Sequence, residues 1–338
     1  MNLSMTGALA DRFKSGSQKA GNVTEAWGAE NFYCPNCSSP KLDWLKPGTK
    51  ASDYQCPACG FWFQLKSQKS RIGQSITDGA YRAMMEAIRE DRAPSHFFLH
   101  YEICSSRRES AQTSPPEFQM EPIDIGCHGS GEEIWLVRNL LVVPYFAFPP
   151  SAIIKRPPLA ASARRAGWIG CNFDLSRIPA EARIQIVRTV KRSGTGFQPV
   201  SELKRNKYED RQDACPTIIV PPAEVRAQFR RVKPFANFSV EQRGWMLDVL
   251  NIVRRICDRS SERQFAPSSP RSRQENQSRL TSAATREFTN EDVYAHAREL
   301  EQLHPDNRHI RDKIRQQLQI LRDAKLLIHV GSGVWRLP

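Results

Sequence analysis

The chain of 338 residues lacks long apolar runs, which argues against an integral membrane protein. Its apolar runs are short, such as residues 140–143, whereas a membrane-spanning helix needs about 20 predominantly apolar residues. Residues 1–20 alternate polar and apolar positions and lack the apolar centre of a signal peptide. The sequence also lacks a lipidation motif and a basic amphipathic helix. We therefore expect a soluble, cytoplasmic protein without a membrane partner.

Acidic residues are too few to balance the basic ones. The chain has 49 Lys and Arg against 36 Asp and Glu, a formal net charge of +13. The apolar fraction of 40% is ordinary for globular proteins, so wholesale disorder is excluded. The excess charge is spread over the chain, with +9 in residues 1–235 and +4 in residues 236–338. This distribution favours a polyanionic partner, first of all nucleic acid, that contacts two modules.

The nine cysteines are odd in number, which argues against a closed set of disulfides. Four of them form two C-x-x-C pairs with 18 residues between the pairs: Cys34, Cys37, Cys56 and Cys59. This spacing is typical of a zinc ribbon, in which four thiolates hold one tetrahedral Zn²⁺. Four sulfur ligands leave no open position, so we interpret the zinc as structural. Two redox motifs are the alternative, and we interpret the other five cysteines as reduced thiols.

A second motif lies beside the cysteines. Asp53 precedes the second pair, and residues 61–65 have the pattern of a strand that carries Gln64 and Lys66 on one face. An acid, ten residues and then Gln-x-Lys resembles the catalytic motif of the PD-(D/E)xK nuclease superfamily. In that chemistry Asp53 and Gln64 bind divalent ions, and Lys66 orients or activates the attacking water. A surface lysine beside a strand is the simpler interpretation.

A longer resemblance covers most of the chain. Its segments are 13–20 (FKSGSQKA), 33–37 (YCPNC), 64–69 (QLKSQK), 78–85 (DGAYRAMM), 97–99 (FFL), 158–172 (PLAASARRAGWIGCN) and 313–323 (KIRQQLQILRD). Together they resemble the DpnI-like family of methyl-directed (type IIM) restriction endonucleases. The resemblance implies a nuclease domain with an inserted zinc ribbon, followed by a winged helix. It also implies Mg²⁺-dependent cleavage of double-stranded DNA at GATC sites that carry N6-methyladenine. We expect a bacterial, monomeric protein.

Position 64 departs from the family pattern, which has Glu-x-Lys. Glutamine keeps an oxygen that can bind a metal, but it removes one negative charge, so the affinity for divalent metal should fall. Two functions stay open, a competent endonuclease and a noncatalytic or weakly active protein that binds methylated DNA. A zinc-ribbon and winged-helix transcription factor is a third, disfavoured by Asp53 and Lys66 at the matching positions.

A basic loop with two glycines is the candidate reader of the methyl group. Arg164 and Arg165 can bind phosphates or guanine edges. Trp168 offers an apolar face to a methyl group, and a role as a core anchor is its alternative interpretation.

The last hundred residues have the pattern of a winged helix. Ser239 with Gln242, and Thr289 with Asp292, have the spacing of capping boxes that open helices, and we expect the second helix to run towards Leu303. Residues 307–323 carry an apolar stripe at helical spacing, and a hairpin follows around a Gly-Ser-Gly turn. We expect helix 307–323 to lie in the major groove of DNA. The side chains that we expect to contact DNA are Arg308, Arg315, Gln316 and Gln319.

The sequence therefore predicts an α/β (α+β) protein with two domains. Residues 1–235 form the nuclease domain, with the ribbon at about 33–60, and residues 236–338 form the winged helix. Polar segments at 105–131, 192–216 and 259–285 predict flexible surface insertions.

Overall fold

The structure is a computed structural model that describes residues 1–46, 52–104, 134–189, 217–265 and 287–338. The predicted insertions 105–131 and 192–216, and residues 266–285 of the third, lie outside the described residues. In this part of the chain no helix is long and apolar enough to cross a membrane.

The elements are numbered in chain order. The strands are β1 (Ser4–Thr6), β2 (Asp43–Trp44), β3 (Tyr54–Gln55), β4 (Trp62–Gln68), β5 (Ser75–Ala80), β6 (Ser95–Cys104), β7 (Ile134–Val143), β8 (Ile153–Lys155), β9 (Gly170–Asp174), β10 (Ile184–Thr189), β11 (Thr217–Ile219), β12 (Glu287–Thr289), β13 (Ile328–Gly331) and β14 (Val334–Arg336). The α-helices are α1 (Gly16–Asn31), α2 (Tyr81–Arg89), α3 (Pro222–Val232), α4 (Val240–Phe265), α5 (Asn290–Tyr294), α6 (Ala297–Leu303) and α7 (Ile310–Asp323).

The chain divides into two compact units that alternate along the sequence. Unit 1 comprises Met1–Ile72, Pro94–Val143 and Ile184–Phe229, and unit 2 comprises Gly73–Ala93, Pro144–Arg183 and Arg230–Pro338. Unit 2 therefore joins the whole predicted winged helix to two segments of the predicted nuclease domain. The predicted domain boundary after residue 235 stays a prediction.

Unit 1 is built on an eight-stranded sheet with the strand order β11-β10-β7-β6-β4-β3-β2, and β1 pairs with β7. Strand β4 lies parallel to β6, whereas the other pairs are antiparallel. Strand β6 has buried residues at its first seven positions, as expected for a central strand that is covered on both faces. The strand predicted at 61–65 is confirmed as the start of β4.

An aromatic cluster holds helix α1 against the hairpin of β3 and β4. Phe97 of β6 stacks on Phe32 and Phe63 with ring centroids 4.2 and 5.2 Å apart. Tyr54 of β3 meets Phe32 edge to face at 5.1 Å. Gly28 permits this approach, because a Cβ atom there would lie 2.7 Å from the Phe32 ring. The cluster fixes α1 close to the residues that flank Asp53.

Unit 2 contains a three-stranded sheet of β5, β9 and β8 and the C-terminal helices with their own three-stranded sheet, β12-β14-β13. Helix α4 is bonded to the segment before β8, because Ser151 Oγ donates to Asp248 Oδ1 at 2.6 Å. Arg254 of α4 also forms an ion pair with Glu181. The mixed α and β architecture with a C-terminal winged helix confirms the predicted fold class.

The helix starts in the winged helix are confirmed. Gln242 N donates to Ser239 Oγ at 3.3 Å, just before α4. At the start of α5, the Thr289 side chain accepts from Asp292 N, and the Asp292 side chain accepts from Thr289 N. These bonds satisfy amide groups that a helix leaves unpaired at its first turn.

Three predicted boundaries in this region are wrong. The helix opened by Thr289 was expected to continue towards Leu303, but it ends at Tyr294 and α6 begins after His296, whose φ of −99° and ψ of 10° leave helical geometry. Helix α7 begins at Ile310 rather than 307, because Asn307 Oδ1 accepts from His309 N in a local turn.

The third correction concerns the segment predicted as a loop from residue 259. Helix α4 continues to Phe265, because each residue added to an existing helix gains a hydrogen bond without a new nucleation cost.

Gln317 is fully buried on α7, and neither its Nε2 nor its Oε1 atom has a hydrogen-bond partner. A buried amide without a partner costs about 1–3 kcal/mol. We expect Gln317→Met, which keeps the length of the side chain, to raise the free energy of unfolding by about 1 kcal/mol. Urea denaturation measures the change. The exposed neighbour provides the control, since Gln316→Met should stay within about 0.5 kcal/mol of wild type. A loss of stability in Gln317→Met would contradict the expectation.

Candidate functional site

The four cysteines of the two C-x-x-C pairs meet in one cluster. Their sulfur atoms all lie within 4.8 Å of one another, with Cys34 Sγ 3.6 Å from Cys59 Sγ and Cys37 Sγ 3.5 Å from Cys56 Sγ. Four sulfur atoms at this separation could hold a metal ion, and the donor set fits tetrahedral zinc. Within the described residues this is the one group of three or more Cys, His, Asp or Glu side chains arranged in this way.

Hydrogen bonds hold the cysteine cluster from outside. Asn36 Nδ2 donates to Cys59 Sγ at 3.3 Å. Arg226 of α3 donates from Nε to the carbonyl of Cys34 and from Nη2 to that of Ser39, both at 3.1 Å. The Arg226 guanidinium also lies 5.2 Å from the centroid of the Tyr33 ring. Outer bonds of this kind orient metal ligands. No sequence pattern indicated Arg226, which lies almost 200 residues from Cys34.

The peptide turn after Cys56 favours a thiolate. Burial raises the pKa of the Cys56 thiol, but bonds from the backbone amides of Cys59 and Ala58 and from the side chains of Cys37 and Cys59 together lower the pKa to about 7. Gly60 closes this turn with φ of +72°, a conformation that suits glycine, and its amide donates to the Cys56 carbonyl at 2.9 Å. In contrast, burial raises the pKa of Cys34. A cation is therefore needed before all four sulfurs can be ionised together.

Asp53 is fixed directly to the strand that carries Lys66. Its Oδ2 atom accepts a 2.7 Å hydrogen bond from the amide of Leu65 in β4. Burial raises the pKa of Asp53, while the Leu65 amide and the Lys66 charge lower it in part. Asp53 and Lys66, which the predicted motif places thirteen positions apart in the sequence, are thus electrostatic neighbours. The cysteine cluster lies immediately beyond β3 on the same hairpin.

Gln64 and Lys66 are half-buried and alternate with the buried side chains of Phe63 and Leu65. They therefore share one face of β4, as predicted. The parallel register places Gln64 beside His96 and Lys66 beside Phe98 of strand β6.

A carboxylate that the sequence analysis missed, Glu25, lies near Asp53. Its helix is bonded to both sides of the site: Tyr54 Oη donates to the Glu25 carbonyl at 2.7 Å, and Thr24 Oγ1 donates to Ser67 Oγ at 3.0 Å. Burial and the charge of Asp53 raise the pKa of Glu25 to about 7, against a bond from the Trp44 side chain that lowers it. The sequence offered no signal, because Glu25 precedes Asp53 by 28 residues on another element.

The predicted DNA-contacting residues of the winged helix are solvent-exposed. Arg315, Gln316 and Gln319 lie on the outer side of α7, and Arg308 lies just before its first turn. Two further residues of this region were missed. Tyr294 of α5 bonds the Arg315 side chain through its hydroxyl, and Arg311 of α7 lies over the same phenol ring.

The predicted methyl-reading loop connects β8 and β9. Arg164 and Arg165 are exposed, whereas Trp168 is half-buried with its ring against Gly170, where a Cβ atom would lie 2.7 Å from it. The Trp168 carbonyl accepts from the amide of Leu159 at 2.9 Å, so the loop folds back on itself. Within unit 1 the predicted site residues are the cysteine cluster and, on the same hairpin, Asp53 with Lys66. Within unit 2 they lie on this loop and on α7.

The cysteine cluster predicts a bound metal that stabilises the fold. We expect about one equivalent of zinc per chain, measured by elemental analysis of protein purified without added metal. Cys37→Ser should lose the zinc and destabilise the protein well beyond the roughly 0.5 kcal/mol of an ordinary surface change. Cys104→Ser, outside the cluster, is the control and should keep both the bound zinc and the stability of wild type. Zinc-free wild-type protein with unchanged stability would contradict this.

The raised pKa of Glu25 predicts a pH-dependent stability. Between its ordinary value of 4.5 and about 7, the folded protein binds more protons than the unfolded chain. The stabilising contribution is therefore complete below 4.5 and is lost as the pH rises to about 7. Glu25→Gln should flatten the fall in stability across this window, measured by urea denaturation without divalent cations. Glu30→Gln, at an exposed position of the same helix, should leave the slope unchanged. Equal slopes for Glu25→Gln and wild type would refute the coupling.

Comparison with known families agrees with this arrangement. The model of the Dam-replacing family, DpnI, matches residues 1–110 and 132–196, which is more than half of the chain. The model of the Dam-replacing HTH domain matches residues 280–337, from before α5 to the end of β14. The first match contains the four cysteines, Asp53 and Lys66, and the second contains α7. One chain therefore combines a nuclease module with a DNA-binding module. The chain belongs to the Dam-replacing family of DpnI-like, methyl-directed restriction endonucleases.

Proposed function

We propose that this protein is a metal-dependent endonuclease that hydrolyses phosphodiester bonds of double-stranded DNA at GATC sites carrying N6-methyladenine. The observation that carries the proposal is the Asp53 carboxylate, bonded to the backbone of β4 within the electrostatic reach of Lys66 on that strand. A fixed acid beside a lysine, in a chain of this family, fits phosphodiester hydrolysis. We place the enzyme in the bacterial cytoplasm, as a monomer.

The residues around Asp53 fit a magnesium ion in their chemistry. Asp53 and Gln64 offer a carboxylate and an amide oxygen, the donor types that Mg²⁺ prefers. When bound, Mg²⁺ acts as a Lewis acid that stabilises charge on the scissile phosphate. Lys66 donates from its ammonium group, orienting the attacking water and offsetting the phosphate charge. Water adds to phosphorus as one P–O ester bond breaks, the proton of the water passes to solvent, and the leaving ester oxygen takes a proton from solvent.

Glu25 supports activity despite the glutamine at position 64. With a pKa of about 7, Glu25 is ionised in a large share of molecules at neutral pH and adds negative charge near Asp53. This charge compensates in part for the carboxylate that Gln64 lacks. A divalent ion beside both acids would lower their pKa values and favour the ionised pair.

The two exposed basic groups in unit 2 are proposed to recognise DNA. Arg308, Arg315, Gln316 and Gln319 contact the bases or phosphates of the major groove, where glutamine suits adenine and arginine suits guanine. Arg164 and Arg165 bind phosphates or guanine edges, and the exposed part of Trp168 contacts the adenine methyl group. Zinc in the cysteine cluster has a structural role and fixes the hairpin that carries Asp53.

Gln64 also favours a second candidate function, a protein that binds methylated DNA and cleaves it weakly or not at all. One negative charge fewer weakens metal binding at the site. The two functions share the DNA partner and differ only in hydrolysis.

Cleavage of plasmid DNA separates the two functions. Wild-type protein with Mg²⁺ or Mn²⁺ should cut plasmid from an adenine-methylating host and spare plasmid from a non-methylating host. Gln64→Glu should increase the rate at low metal concentration, because it restores the charge of the site. Lys66→Met should lower the rate by about 100-fold or more, the range for loss of one fixed donor that stabilises charge in the transition state.

The control for these assays is Lys69→Met, an exposed lysine on the same segment, which should cut as wild type does. No cleavage by wild type with rescue by Gln64→Glu would establish the noncatalytic function. No cleavage by either protein, with methyl-independent binding, would refute both.

A further inference from the structure

The outer surface of the winged helix carries an arginine pair that shares one tyrosine, Tyr294. The guanidinium carbon of Arg311 lies 5.3 Å from the centroid of the Tyr294 ring, and that of Arg315 lies 5.6 Å away. In addition, Arg315 Nε donates a hydrogen bond to Tyr294 Oη. Tyr294 is only 6% exposed, so its ring is a fixed platform for two exposed side chains.

The arginine pair brings two positive charges close together on this surface. Arg311 and Arg315 are four residues apart on α7, and like charges at this spacing repel each other. Asp312 Oδ1 lies 3.8 Å from Arg315 Nη1, an ion pair beyond hydrogen-bond range. The hydrogen bond to Tyr294, with smaller contributions from the charges of Asp312 and Glu291, raises the pKa of the Arg315 guanidinium. Both cations are held on one platform although this brings the two charges together.

The bond to Tyr294 also determines which edge of Arg315 can bind a partner. With Nε engaged, the remaining end-on edge consists of Nη1 and Nη2. Two parallel donors match the O6 and N7 acceptors of guanine in the major groove. An arginine held in place before binding loses less rotamer entropy when it binds than one that is free.

We propose that Tyr294 is a positioning residue that fixes Arg315 to read guanine, while Arg311 supplies charge for the adjacent phosphate. This inference rests on the proposed function, in that the DNA partner comes from there. In this proposal Arg315 of α7 contacts the guanine of the recognition site, and the buried Tyr294 of α5 holds Arg315 in the orientation that this contact needs. An arginine outside the predicted set, Arg311, becomes part of the recognition surface.

The test measures how strongly binding depends on the guanine N7 atom. The full-length protein binds a fluorescent duplex that contains one methylated GATC site, in Ca²⁺ to prevent cleavage, and the same duplex with 7-deazaguanine. We expect wild type to lose about tenfold in affinity on the modified duplex. In Tyr294→Phe, which keeps the ring and removes the hydroxyl, this ratio should fall to about twofold or less.

Two further variants make the test independent of folding defects. Arg315→Lys changes an exposed side chain, keeps the charge and lacks the two-pronged edge, so it should lose the N7 dependence as Tyr294→Phe does. Arg322→Ala, near the end of the same helix and bonded to Asp323, is the matched control and should keep the tenfold ratio.

The outcomes separate this inference from the proposed function. If wild type binds methylated GATC with preference but does not sense the 7-deaza change, or if Tyr294→Phe and Arg315→Lys sense it as wild type does, the guanine assignment is overturned. If wild type shows no preference for methylated GATC at all, the proposed function itself fails. Loss of N7 dependence in both variants, with the control unchanged, supports the inference.

Discussion

The position of Asp53 relative to β4 is the constraint on which the proposed chemistry depends. One hydrogen bond, from the Leu65 amide to Asp53 Oδ2, fixes the carboxylate beside the strand that carries Gln64 and Lys66. A one-residue slip of this hairpin would turn Lys66 to the opposite face, since side chains alternate along a strand. The neighbouring cysteine cluster closes the hairpin, so a metal bound there would also hold this register.

Burial and charge act against each other at the site. Burial raises the pKa values of both Asp53 and Glu25, and the charge of Asp53 raises that of Glu25 further. Such a pair is unfavourable in the protein alone and favourable around a cation. The side chain of Gln64 is uncharged, so it adds no further repulsion to these two neighbouring carboxyl groups.

In the winged helix, like charges are also held close together, but here the charges are positive. Arg311 and Arg315 lie over one buried aromatic ring, with Asp312 at 3.8 Å from Arg315 Nη1, and such clustered cations favour a polyanion. Capping bonds at Thr289 and Asp292 fix the start of α5 and therefore the place of Tyr294. The hydrogen bonds of one short helix thus orient side chains on another.

The sequence by itself determined the features that depend on local spacing. The two C-x-x-C pairs predicted the cysteine cluster, the capping residues predicted the starts of α4 and α5, and the alternation around Leu65 placed Gln64 and Lys66 on one face. The tertiary structure alone decided the contacts between distant segments. Glu25 lies near Asp53, Arg226 bonds to Cys34 and Tyr294 bonds to Arg315 because packing brings separate elements together. Local sequence periodicity does not indicate such pairs. The positions of helix ends could also be read only from the structure. The break at His296 and the extension of α4 to Phe265 depend on a balance of small energies that residue spacing does not reveal.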